Sequence, residues 1–163
     1  LANSLVVVVP ADSALQLEHP ADLARESVER LSVAHPEAVP AGRYACAWLR
    51  ELGLWDDLQD KIVPAIDVRA ALFAVESGAA DAGICYVTDA AVTARVRIAL
   101  RVTGPAAPDV RYEAGAVAPG STARATGDGA RRAVALAFLE FLGSAQARET
   151  FLGRGFVLPE RGA

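Results

Sequence analysis

Three short segments carry the groups needed to hold a small anion. At Val39-Pro40-Ala41-Gly42 the chain enters a helix-type sequence. The first residues of a helix have N–H groups with no intrahelical acceptor, and Pro40 supplies none, so Ala41 and Gly42 offer the first donors. Their small side chains let a ligand approach the backbone. Ile66-Asp67-Val68 repeats the arrangement. With Asp67 as N-cap, its carboxylate takes the N–H of the second or third helical residue and leaves that of Val68 free. Tyr86 follows the buried-type run Gly83-Ile84-Cys85 and brings a phenol hydroxyl that donates a hydrogen bond. Two helix N-termini and one hydroxyl suit an oxyanion held by neutral donors, because the dipole and the free N–H groups both favour negative charge. From spacing alone, an ordinary structural helix is the leading reading of each helix start, and the Tyr86 ring equally fits a packed one. Arg43 and Arg69 lie just inside the two helices and read as solvated or inter-lobe residues.

Catalytic and metal chemistry find no comparable support. There is no Ser/His/Asp arrangement, nucleophile elbow or glycine-rich phosphate loop. Cys46 and Cys85 lack metal-ligand spacing, and His19 and His35 are isolated. Both thiols read as buried small hydrophobes.

The elements that must position the three segments alternate between strand and helix. The pattern predicts strands at Ser4–Val9, Leu31–Ala34, Lys61–Val63, Ala82–Val87, Val96–Leu100 and Tyr112–Val117. It predicts a short helix opening at Pro20, then helices at Ala41–Leu52, Val68–Ser77 and Ala130–Leu142. Ser144 caps a last helix running to about Arg154. Gly53, Gly78 and Gly155 stand where helix ends call for a left-handed residue. Pro119 to Gly129 reads as a loop. Such alternation predicts an α/β fold with a mostly parallel, doubly wound sheet, in which ligands bind beyond the carboxyl ends of the strands. The three segments fall at those ends.

Composition narrows the class further. Over 163 residues, 53% are hydrophobic and 22% charged, which is a core-forming balance that excludes a wholly disordered chain. The net charge of −4 argues against general nucleic-acid binding, which needs a basic footprint. No apolar run approaches the roughly 18 residues of a membrane-spanning helix. Leu1 to Leu5 runs straight into strand-type sequence with no visible signal peptide, so the chain reads as one that begins within a fold.

The segment His35-Pro36-Glu37-Ala38-Val39-Pro40-Ala41-Gly42-Arg43-Tyr44-Ala45 resembles one in periplasmic molybdate-binding proteins that reads Asp-Pro-x-x-Val-Pro-Ala-Gly-x-Tyr-Ala. The likeness continues in order through Leu52-Gly53-Leu54-Trp55-Asp56, Asp67 to Leu72, Val75 to Gly78, Gly83 to Tyr86 with Asp89-Ala90, Ala137 to Leu142, and Gly155-Phe156. The resemblance implies a type II periplasmic-binding-protein fold. Residues 1–110 would form the second lobe with a crossover strand, and 111–163 the C-terminal part of the first. It implies a non-enzymatic solute-binding component of a molybdate or tungstate ABC importer, extracytoplasmic and membrane-associated through its permease. Neither cofactor nor nucleic acid is implied. The ligand contacts that carry over are the backbone N–H groups of Ala41 and Val68 and the hydroxyl of Tyr86. The family's first lobe also contributes two serine-bearing loops that have no counterpart here, so the chain by itself is expected to bind weakly or not at all. Ala34-His35 replaces a common Gly-Asp, and Glu113-Ala114-Gly115 a Pro-containing strand. An apolar face on the Ala130–Leu142 helix (Val134, Phe138, Phe141) further suggests a homodimer formed by exchange of elements. A ligand-sensing domain of a transcriptional regulator on the same fold is the alternative.

Overall fold

Leu5 to Val9 is a run of large apolar residues, four of them β-branched, and all are 1% exposed or less. Such a run is stable only as a central strand covered on both faces. In the computed structural model, which describes residues 1–117 and 128–158, it is strand β2 (Leu5–Pro10). Around it the chain forms β1 (Ala2–Asn3), β3 (Leu31–Ala34), α1 (Pro40–Glu51), α2 (Trp55–Leu58), β4 (Ile62–Ala65), α3 (Val68–Glu76), β5 (Ala82–Tyr86), α4 (Val87–Ala90), β6 (Val96–Arg101) and β7 (Val110–Arg111). Helices α5 (Asp128–Leu142) and α6 (Ala145–Gly153) follow. Single 3-10 turns occupy Pro20–Ala24 and Gln59–Lys61.

The chain divides into two compact units, Asn3–Val110 and a second formed by Leu1–Ala2 with Arg111–Ala163. The first holds a five-stranded sheet of order β4-β3-β5-β2-β6. Strands β4, β3 and β5 run parallel, β2 opposes β5, and β6 opposes β2, so four strands share one direction. Two apolar clusters cover the sheet's two faces. One joins Leu5, Val7, Val9, Leu31, Val33 and Ile84 to Ala45, Trp48 and Leu49 of α1. The other joins Val6, Val8 and Cys85 to Leu72 and Val75 of α3 and Ala90 of α4. Alternate residues of β2 and β5 thus feed opposite cores, as a period of two requires, and the sheet is doubly wound.

Helix α1 ends in a paired closure. Gly53, at φ 69°, donates to the Arg50 carbonyl, and Leu54 donates to that of Leu49. Gly78, at φ 71°, ends α3 by donating to Val75. Strand β4 runs through Pro64, past the predicted end at Val63. It is an edge strand, where a residue without an N–H is tolerated. The predicted strand over Tyr112–Val117 is not formed. The assigned strand stops at Arg111, Tyr112 still pairs with Leu1 through the backbone, and the residues after it are irregular, with Val117 93% exposed. Most of the predicted loop Pro119–Gly129 lies outside the described residues.

In the second unit Leu1 and Ala2 group with the later residues through backbone bonds. Ala2 and Val157 exchange N–H···O bonds of 2.8 and 2.9 Å, and Tyr112 donates to the Leu1 carbonyl at 2.8 Å. Tyr112 and Phe151 both meet Phe156 edge to face. The Ser144 hydroxyl caps α6 by accepting from Ala147 at 3.2 Å. On α5, Val134, Phe138 and Phe141 are 70%, 58% and 47% exposed, so the face read from the sequence is uncovered within this unit.

Candidate functional site

Strands β4, β3 and β5 are adjacent and parallel, so their carboxyl ends share one edge of the sheet. Helix α1 starts beyond β3, α3 two residues beyond β4, and α4 directly after β5. Ala41, Val68 and Tyr86 therefore lie at a common edge, with α1 and α3 on opposite faces. That edge is where open α/β sheets bind ligands.

The start of α1 is held by backbone packing. Val39 is a cap with extended backbone (φ −109°, ψ 131°) and no side-chain acceptor. The first turn closes when Arg43 donates to the Val39 carbonyl at 2.9 Å. Among the described residues, the N–H groups of Ala41 and Gly42 meet no protein acceptor. Gly42 fits because it has no side chain. A Cβ there would stand 2.1 Å from the Ala34 carbonyl oxygen and 2.5 Å from that of His35. The helix start is thereby seated against the end of β3, and Ala41 is 3% exposed.

Asp67 caps α3 as its position predicts, with Oδ1 accepting the Ala70 N–H at 2.7 Å. The next closure runs from the Ala71 N–H to the Asp67 carbonyl, so among the described residues the Val68 and Arg69 N–H groups meet no protein acceptor. Engagement with Ala70 fixes the charge of Asp67 on its own first turn. Arg43 and Arg69 are both exposed.

Tyr86 is half-buried, its backbone extended at φ −77° and ψ 151°, and its ring packs against the α1-side core. Two bonds fix the turn it begins. Val87 donates to the Ser4 carbonyl at 2.9 Å, and Asn3 Nδ2 donates to Thr88 Oγ1 at 3.0 Å. A third comes from Asp89, whose carboxylate accepts the Tyr86 N–H. Burial raises the Asp89 carboxyl above its ordinary range, against the Tyr86 N–H and the Arg69 charge, which favour ionisation. Sequence reasoning gave Asp89 no role of its own. The available signal was its spacing, three residues after an N-cap, where an acidic side chain reaches back to the cap N–H.

Cys46 and Cys85 are free and buried, as expected. Burial pushes the Cys85 thiol up to about 12 and raises that of Cys46. Among the described residues no cluster of three or more His, Cys, Asp or Glu could hold a metal ion, and no helix is long and apolar enough to cross a membrane. What the edge offers is two helix N-termini with free N–H groups and a phenol hydroxyl, on a rigid sheet.

A doubly wound sheet with such an edge is the framework of a solute-binding lobe, and the chain belongs to the bacterial extracellular solute-binding proteins, whose family profile matches residues 1–157. It is 36% identical over 163 residues to the molybdate-binding protein ModA of Escherichia coli (strain K12), and 34% identical over 162 residues to ModA of Haemophilus influenzae. These matches cover 97% and 96% of this chain and 59% of each relative, so the chain spans well under two thirds of their length. Among solved structures, the periplasmic molybdate-binding protein of Azotobacter vinelandii superposes with a TM-score of 0.67 at 25% identity, over 98% of this chain and 66% of that one. The fold is the type II periplasmic-binding-protein fold.

Proposed function

We infer that this chain is the oxyanion-binding part of a molybdate- or tungstate-type solute-binding protein serving an ABC importer. The observation that carries this reading is the pair of helix starts, at Ala41 and Val68, placed with Tyr86 along one sheet edge with their N–H groups unused. A tetrahedral dianion bound there receives N–H donors from Ala41 and Val68 and an O–H donor from Tyr86. Bonds to a charged acceptor are worth roughly 1.5–3 kcal/mol each, and the helix dipoles add to them. The donors are neutral, so the ligand keeps its charge and forms no tight ion pair with the protein, which suits a carrier that must release its cargo. Molybdate and tungstate share shape and charge, and this site takes both. Residues 3–110 act as one lobe, and residues 1–2 with 111–163 as part of the other. The partner is the importer's membrane permease, on the extracytoplasmic side, and no reaction is catalysed.

Thermal unfolding with and without sodium molybdate, sodium tungstate or sodium chloride tests this reading. Because the chain by itself is expected to bind weakly, molybdate and tungstate should raise the melting temperature only slightly and at high concentration, chloride at matched ionic strength should not, and Tyr86→Phe should reduce the oxyanion effect. Equal stabilisation by all three salts would refute it.

A further inference from the structure

Asp89 is the third residue of a one-turn helix whose N-cap is Tyr86. Its carboxylate accepts the Tyr86 N–H, and its Oδ2 atom is buried with no hydrogen-bond partner among the described residues. A buried, unpartnered carboxylate oxygen is costly, and native structures retain few of them. This one stands at the oxyanion edge. It is three residues from Tyr86 and within electrostatic reach of Asp67 and Arg69, which flank Val68 on both sides.

We propose that Asp89 is a positioning residue for this site and makes oxyanion binding proton-linked. The proposal rests on the oxyanion reading above. Asp89 acts through two routes. Its bond to the Tyr86 N–H fixes the turn that carries the phenol, and its negative charge opposes a dianion at the Val68 and Tyr86 donors. Binding therefore favours the protonated carboxyl, in which the opposing charge is removed. By linkage the proton equally favours the anion.

The surroundings leave the control of this charge to Asp89 itself. From α3, Asp67 repels it, while Arg69 attracts it but is exposed and makes no ion pair with it at contact distance. From β5, Cys85 is neutral below a pKa of about 12. Strand β2 carries no ionisable side chain. On β6, Arg97 donates to the Ser13 and Leu15 carbonyls and Arg101 is exposed. Burial already holds the Asp89 carboxyl above its ordinary range in the free protein, which brings the proton within reach.

The test uses Asp89→Asn and Asp89→Ala in the full chain, followed by amide NMR with sodium molybdate and with sodium sulfate. Sulfate stays a dianion across the acid range and separates ligand protonation from that of the protein. Asparagine keeps an acceptor for the Tyr86 N–H and removes the charge. It should tighten binding on the order of tenfold, the equivalent of one pKa unit, and flatten the pH profile. Alanine loses the acceptor as well and should weaken binding. In the ligand-free wild type, the Tyr86 amide should titrate together with the Asp89 carboxyl, and Asp89→Asn should abolish that step. A flat Tyr86 titration, or Asp89→Asn binding with the wild-type pH profile, would overturn the proposal. If the Tyr86 amide follows the Asp89 proton while Ala41 and Val68 ignore both anions in every variant, the oxyanion reading fails and takes the ligand half of this proposal with it.

Discussion

Replacing Gly42 by alanine tests whether the α1 start is seated as described. The added Cβ would stand 2.1 Å from the Ala34 carbonyl oxygen, so an ordinary contact of 3.4 Å requires a retreat of about 1.3 Å. The obstacle is backbone at the end of a buried strand and cannot rotate away. Overpacking of this kind costs typically 1–3 kcal/mol, occasionally more, and the rigid neighbour places Gly42→Ala at the upper end, about 3 kcal/mol. For a domain of this size that lowers Tm by roughly 10 °C. The same retreat moves the Ala41 N–H by more than the width of the hydrogen-bond range, so the oxyanion response should fall too. Gly53→Ala is the local control. Its φ of 69° is strained for alanine but nothing lies within 4 Å, so it should cost only about 1–2 kcal/mol and leave the response intact. Urea unfolding of both variants, with molybdate titration of each, makes the comparison. A Gly42→Ala chain with an unchanged urea midpoint and an unchanged molybdate response would refute the packing argument.

Asp67→Ala removes a cap and should cost about 1 kcal/mol, yet it should tighten oxyanion binding because a negative charge leaves the edge. Paired denaturation and titration measurements check the opposed signs. The Asp22 carboxyl is held below its ordinary range chiefly by the His19 N–H, then by that of Glu18, with burial opposing them. The stability it contributes is therefore complete above the unfolded carboxyl's pKa and lost as pH falls through the lowered folded value. Asp22→Asn should be less stable at neutral pH and show a flatter acid limb in thermal melts. Cys46 lines a shallow cavity of about 520 Å³ with His35, Arg50 and Trp55, whereas Cys85 is 1% exposed. Thiol labelling at mildly alkaline pH should therefore modify Cys46 first, and Cys85 only at the rate of unfolding.

Much of the edge is legible in the residues. The run Val6 to Val9 marks a strand covered on both faces, Gly53 and Gly78 mark helix ends, and Asp67 and Ser144 mark helix starts. Each is a local preference that the fold leaves undisturbed. Less legible features depend on neighbours. The antiparallel direction of β2 is a property of the sheet, and no residue within Leu5–Pro10 encodes it. Pro64 is tolerated because β4 is an edge strand. The irregular course after Tyr112, beyond its backbone pairing with Leu1, is not visible in the run itself. Gly42 reads as a small residue near a helix start, but its reason is the Ala34 carbonyl two ångströms away. Asp89 has a readable capping spacing, while its unpartnered oxygen appears only in three dimensions.

The central claim is that one sheet edge binds an oxyanion through the N–H groups of Ala41 and Val68 and the hydroxyl of Tyr86. The most direct measurement is a ¹⁵N-resolved amide titration of the chain with sodium molybdate, which detects binding even at millimolar affinity. Saturable shifts are expected, centred on Ala41, Gly42, Val68 and Arg69, with the Tyr86 turn moving in step and the outer strand β6 silent. Shifts confined to other parts of the chain, or none at these amides at saturating salt, would contradict it.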